Sequence, residues 1–218
     1  MVNTNELLDM IKKARERAEK KNFNQSLELI ITLKDIDVKK GFDLNEVVNM
    51  PHPASRKASV CVVGSGDLTL RARKANADRV IEAEELDRIG TNKREAKKLV
   101  RGYDFFVADT SIMPAVGRAL GQYLGPRGKM AAPIPFNAPI ETILDRFRTS
   151  VRVRSKGQLT VSCKIGDESM SDQDLTNNAL AVLGTIEKKL PAGDKNVKGL
   201  MVKLTMGKTV KLTEVKVT

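Results

Sequence analysis

Between residues 23 and 33 the chain reads FNQSLELIITL, which alternates with the period of a strand. Leu27, Leu29, Ile31 and Leu33 share one side and are core-facing. Ser26, Glu28, Ile30 and Thr32 share the other, a polar face that carries a carboxylate. Residues 5–20 place Leu7, Leu8, Ile11, Ala14 and Ala18 at helical spacing, with Asn3 and Glu6 set as a capping pair. Lys12, Lys13, Arg15, Arg17 and Lys20 occupy the opposite face of that helix. Residues 200–212, LMVKLTMGKTVKL, alternate again and then break at Thr205-Met206-Gly207. Unbroken alternation buries Met206 with Val202 and Leu204, whereas Gly207 permits a bulge that re-aims its neighbours. Asp172 opens an amphipathic helix through Leu175, Ala179, Val182, Leu183 and Ile186 to Pro191, followed by a polar loop over 192–199.

The middle of the chain has a different texture. After a strand over 44–50, Pro51-His52-Pro53 makes a stiff, extended crossing. Short apolar strands over 59–64, 79–82 and 105–108 then alternate with helices over 68–76, 92–101, 113–124 and 140–148. This order predicts a parallel sheet in a Rossmann-like three-layer lobe. Residues 124–136, rich in glycine and proline, read as a loop carrying Arg127 and Lys129. Alternation returns over 151–154 and 159–165, joined by a turn at 155–157.

Composition narrows the function. A chain of 218 residues with a net charge of +11 and a pI near 9.7 points to a polyanionic partner, most often nucleic acid. Aromatic residues make up only 4%, which argues against binding single strands by base stacking and favours structured RNA held through phosphates and 2′-hydroxyls. No apolar run approaches the roughly 20 residues that cross a bilayer. The first residues set charges within their apolar stretch, so a cytoplasmic location is expected. Cys61 and Cys163 lie in apolar strands and read as buried hydrophobes. With His52 the single histidine, neither a metal centre nor a nucleophile–base pair is available, so no catalytic residue and no metal are expected.

Two readings stay open at this level. Glu28 either pairs with a cross-strand lysine or accepts hydrogen bonds from a base amino group or a ribose hydroxyl. Gly64-Ser65-Gly66 follows a strand as in a dinucleotide site, with Glu82 and Glu84 at a tolerable distance for a ribose-binding acid. Thr69, however, stands where the fingerprint needs a third small residue. A Rossmann-type nucleotide-binding enzyme is therefore the alternative to an RNA-binding protein.

Four motifs, in order and spread over most of the chain, resemble one family: Asn22-Phe-Asn-Gln-Ser-Leu-Glu-Leu29, Met50-Pro-His52, Leu124-Gly-Pro-Arg-Gly-Lys-Met130 and Lys203-Leu-Thr-Met-Gly207. They are similar to the archaeal form of the ribosomal L-one family, large-subunit proteins of the mobile stalk beside the tRNA exit site. The resemblance implies a discontinuous, sandwich-like α+β RNA-binding domain from residues 1–54 and 152–218. Residues 55–151 are then an inserted Rossmann-like α/β/α domain on two hinge strands. The implied RNA surface is Phe23, Ser26, Glu28, Thr205, Met206 and Gly207, with Lys203 and Lys208 around it and Lys156 a looser match. The implied role is structural and without cofactor: a monomer in isolation and part of the ribosome in the cell. It would bind large-subunit ribosomal RNA, shift as deacylated tRNA leaves, and repress translation of its own mRNA. The chain departs from the family pattern at Pro53, in place of a glycine, and at Lys208, in place of a proline.

Overall fold

The alternation of residues 23–33 is realised from Ser26 onward, in a computed structural model that describes residues 3–37, 42–135 and 138–212. In chain order the first elements are α1 (Thr4–Glu16), β1 (Ser26–Leu33), β2 (Asp43–Asn49), β3 (Val60–Gly64), α2 (Gly66–Lys74), β4 (Arg79–Glu82), α3 (Ala83–Thr91) and α4 (Lys93–Gly102). There follow β5 (Phe105–Asp109), α5 (Met113–Leu124), β6 (Ala132–Ile134), α6 (Ile140–Arg148), β7 (Ser150–Lys156), β8 (Thr160–Asp167), α7 (Asp172–Glu187), β9 (Val197–Leu204) and β10 (Val210–Leu212). The chain divides into a terminal unit, Met1–Arg56 with Thr149–Thr218, and an inserted unit, Lys57–Arg148.

In the terminal unit an antiparallel sheet runs in the order β10-β9-β1-β8, so the N-terminal strand lies between two C-terminal ones. Leu27, Leu29, Ile31 and Leu33 are buried, and the intervening side chains of β1 are half-buried. Leu7, Met10, Ile11 and Ala14 of α1 and Leu175, Ala179, Val182, Leu183 and Ile186 of α7 meet the buried strand residues in one core. Both helices thus cover the same face, leaving Ser26, Glu28, Ile30 and Thr32 on the other. A second sheet pairs β2 with β7 antiparallel.

The inserted unit holds the parallel sheet β4-β3-β5-β6. Its central strands are buried on both faces, yet their alternation still sorts the layers. Cys61, Val63, Phe106 and Ala108 pack with α3, α4 and α5; Val60, Val62, Phe105 and Val107 pack with α2 and α6. Burial pushes the thiols of Cys61 and Cys163 up to about 12, which makes both poor nucleophiles.

Several expectations are corrected. The first helix ends at Glu16, because the Arg17 amide bonds back to Lys13 and Arg15 and closes the turn. Met10, not Leu8, completes its buried stripe. The last helix stops at Glu187, short of Pro191. β9 begins at Val197 within the expected loop, where the buried Asn196 side chain closes the approach by bonding Ala192 N and Lys34 O. α3 was not foreseen: a glycine sits in its last turn, and a Cβ at Gly90 would come within 2.8 Å of Ala119 Cβ, so glycine allows the close α3–α5 crossing. β6 forms where a loop was expected, and Pro133 is tolerated there because the strand is at the sheet edge.

The segment after Met50 is held by side chains from the C-terminal part of the terminal unit. Asn178 Oδ1 accepts from His52 N at 3.0 Å, and its Nδ2 donates to His52 O and Ile165 O, each at 2.8 Å. Asp167 accepts from Ser55 N at 2.9 Å and from the Ser55 and Ser169 hydroxyls. Burial raises the pKa of this carboxyl, but the hydrogen bonds from Ser169 and Ser55 outweigh it and hold it below the ordinary value of 3.8. A depressed folded-state pKa gives stability that is complete above the unfolded-state value and is lost as pH falls through the folded one. Asp167→Asn is therefore expected to reduce the loss of stability below about pH 4, measured as urea midpoints across an acid series. An unchanged acid slope overturns that account.

Candidate nucleic-acid interface

The break in the last strand is the turn of a hairpin, not a bulge within a strand. β9 ends at Leu204, the chain turns through Thr205, Met206 and Gly207, and it returns as β10 against β9. Gly207 N donates to Leu204 O at 2.9 Å and closes the turn. Alternation therefore stops before Met206, whose side chain is 65% exposed rather than buried. Gly207 does not take a positive φ, so its requirement is one of space. A Cβ there would lie 3.3 Å from Leu204 Cβ and 3.4 Å from Ala18 Cβ, where the turn packs on the chain leaving α1.

This turn is bonded to the start of β1. Thr205 N donates to Ser26 O at 3.0 Å, Ser26 N donates to Thr205 Oγ1 at 3.1 Å, and the Thr205 hydroxyl donates to Ser26 O at 3.2 Å. Gln25 Oε1 accepts from Met206 N at 3.1 Å, while Gln25 Nε2 donates to Glu19 O at 3.1 Å. Gln25 is only 1% exposed, a buried polar side chain whose bonds fix the backbone that presents Met206. Sequence reasoning missed this residue. The available signal is its phase: Gln25 continues the core-facing series of Leu27, Leu29, Ile31 and Leu33, and a polar group there needs buried partners.

On the sheet face left uncovered by the helices, Glu28 stands between Lys203 of β9 and Lys164 of β8. Lys203 Nζ lies 3.6 Å from Glu28 Oε2 and 3.4 Å from Thr205 O. The cross-strand pairing is thus realised; at partial exposure such a pair contributes about 0–1 kcal/mol. Lys211 of β10, paired in register with Met201 of β9, brings a further cation to the same face, and Lys164 is a second residue not singled out beforehand. Lys208 is exposed, and Phe23 is 51% exposed just ahead of β1. The Glu19 carboxyl is held below its ordinary range by its hydrogen bond to Lys21 and by the charges of Lys21 and Lys208, which sets Lys208 in the same neighbourhood.

The structure thus brings Ser26, Glu28, Lys203, Thr205, Met206 and Gly207 together. Lys156 ends β7, opposite Asp43 on the other sheet, and its side chain lies outside the described residues. Cations around one carboxylate, with an exposed methionine and phenylalanine, can contact phosphates, accept from a 2′-hydroxyl or base amino group, and pack against a ribose or base.

The other motifs have structural work. A Cβ at Gly64 would meet Leu68 Cδ2 at 3.0 Å, Gly66 takes a φ of +53°, and Glu82 is paired with Arg73 at 2.7 Å. Helix packing and a left-handed residue account for the glycines of that turn. Lys129 Nζ donates to Tyr103 O at 2.6 Å and Val100 O at 3.2 Å, at the C-terminal end of α4. Among the described residues no group of three or more His, Cys, Asp or Glu is placed to hold a metal ion, and no helix is long and apolar enough to cross a membrane.

Residues 12–208 match the Ribosomal protein L1p/L10e family. The large ribosomal subunit protein uL1 of Cenarchaeum symbiosum is 57% identical over 211 residues, 97% of either chain. Its counterpart from Thermofilum pendens is 48% identical over 98% of this chain and 95% of its own. That from Methanothermobacter thermautotrophicus is 42% identical over 95% of this chain and 98% of its own.

Proposed function

Because the chain belongs to the ribosomal protein L1p/L10e family and is a non-enzymatic protein of the large ribosomal subunit, we propose that its terminal unit binds the structured RNA of the ribosomal stalk through the face around Glu28 and Met206. The observation that carries this reading is the exposed Met206 on a turn bonded to Gln25 and Ser26, beside the Glu28–Lys203 pair. A single exposed methionine is common on protein surfaces; what supports the reading is its fixed backbone beside a carboxylate and a cation. Lys164, Lys203, Lys208 and Lys211 supply phosphate contacts and most of the affinity; Ser26, Glu28 and the turn supply selectivity. Phe23 adds an apolar contact, and Lys156 a peripheral one.

On this reading the inserted unit changes position as deacylated tRNA leaves the exit site, while the terminal unit keeps its hold on the stalk. The same face would accept a copy of the stalk fold in the protein's own message, which provides repression of translation. The direct test is filter binding to stalk RNA and to a scrambled RNA of equal length. Preference for the stalk RNA is expected to persist as salt rises, with a log–log slope of about −3 to −4 from four lysines. Equal affinity for both RNAs at every salt concentration would reduce the protein to a general polycation and overturn the reading.

A further inference from the structure

The charge of the inserted unit is concentrated in one helix. Residues 57–148 hold sixteen Lys and Arg against eleven Asp and Glu, an excess of five. Residues 93–101 of α4 hold five against one, an excess of four. At 100° per residue Lys93, Arg94, Lys97, Lys98 and Arg101 fall within an arc of about 140°, and Ala96, Leu99 and Val100 face the core opposite them. All five cations are exposed. Four arginines elsewhere in this unit are in ion pairs, Arg71 with Asp67, Arg73 with Glu82, Arg79 with Glu85 and Arg148 with Asp145. Among the described residues none of the five cations of α4 is in an ion pair.

The helix is also fixed at both ends. Asn92 Oδ1 accepts from Arg94 N at 3.1 Å and Glu95 N at 3.4 Å. Lys129, delivered by the glycine-rich loop after α5, bonds Val100 O and Tyr103 O. Gly128, with φ +66°, supplies the left-handed residue that turns the chain into position. The loop motif that the first RNA surface does not absorb is thus a clamp on α4, and it adds a cation at the negative end of the helix dipole.

We propose that this face of α4 is a second, sequence-independent RNA-binding surface, which grips the phosphates of a duplex or of a folded RNA arm. Five cations over about 12 Å of rigid helix match a run of backbone phosphates better than a base-reading site, since the face is almost without acceptors. An acidic protein is the competing partner, and the test separates the two.

The full chain carrying Met206→Asp, which weakens the first surface in every variant alike, is titrated with a long RNA duplex of arbitrary sequence. Adding Lys97→Gln, Lys98→Gln and Arg101→Gln is expected to weaken binding about tenfold or more and to flatten the log–log salt slope by about 2 to 3. Removing equal charge at Lys12 and Lys13 of α1 and at Arg17 just after it is expected to change binding by less than about twofold. Equal losses in the two triple variants overturn the proposal, because net charge alone then explains binding. Competition by polyglutamate as effective as RNA, charge for charge, overturns it in favour of an acidic protein. The effect of Met206→Asp on stalk RNA is read separately, so failure at one surface is not mistaken for failure at the other.

Discussion

Met206→Asp is expected to lower affinity for stalk RNA about a hundredfold and to leave the unfolding midpoint where it was. The side chain is 65% exposed, so its replacement removes little from the core. Its backbone stays fixed, because the bond from Met206 N to Gln25 Oε1 involves no side-chain atom of residue 206. In the complex, the loss of a buried methionine contact costs about 1.5–3 kcal/mol. A carboxylate beside phosphates adds about 1 kcal/mol of repulsion at the water-exposed rim. At 1.4 kcal/mol per factor of ten, the sum is about two orders of magnitude. Filter binding with a parallel urea titration measures both halves of the expectation. Unchanged affinity in a folded variant sinks the assignment of the turn to the RNA surface.

Asn178→Leu carries the largest expected stability loss, about 3 kcal/mol from unsatisfied backbone groups. Asn178 is buried and serves three of them, accepting from His52 N and donating to His52 O and Ile165 O. Leucine fills the same volume and bonds none of them. Water can reach His52 from its half-exposed side, so the buried Ile165 carbonyl bears the greater part of the penalty. The urea midpoint is expected to fall with the slope unchanged. A loss below about 1 kcal/mol would show that the segment after Met50 is held by Asp167 and the flanking prolines alone.

Most of the elements and the parallel character of the inserted sheet follow from the hydrophobic pattern, since strand alternation reports which face a residue occupies. β1 shows how far this goes: all four of its core residues are read correctly from their spacing. The same rule misplaces Met206, because alternation holds only while the strand continues, and the turn at Thr205 is fixed by bonds to a segment far away in sequence. Gln25 escaped notice for a related reason. Its partners are the amide of Met206 and the carbonyl of Glu19, and nothing local announces either. Helix α3 was lost to a glycine whose purpose is the approach of Ala119. Short-range patterns are legible in the chain; close approaches between distant segments are not.

The position of β1 in the sheet also bears on how the protein is made. Its ladder partners are β8 and β9, and the nearer of them begins at Thr160, far beyond Leu33. At about 5–20 residues per second, a growing chain leaves the edges of β1 open for roughly 6–25 seconds after its synthesis. All four strands of the parallel sheet, from Val60 to Ile134, are made within that interval. The surface around Glu28 and Met206 therefore does not exist on an unfinished chain. On the proposed reading, selective recognition of the stalk fold therefore begins only once the turn at Met206 has been made, whereas the cations of α4 are present on the chain well before then.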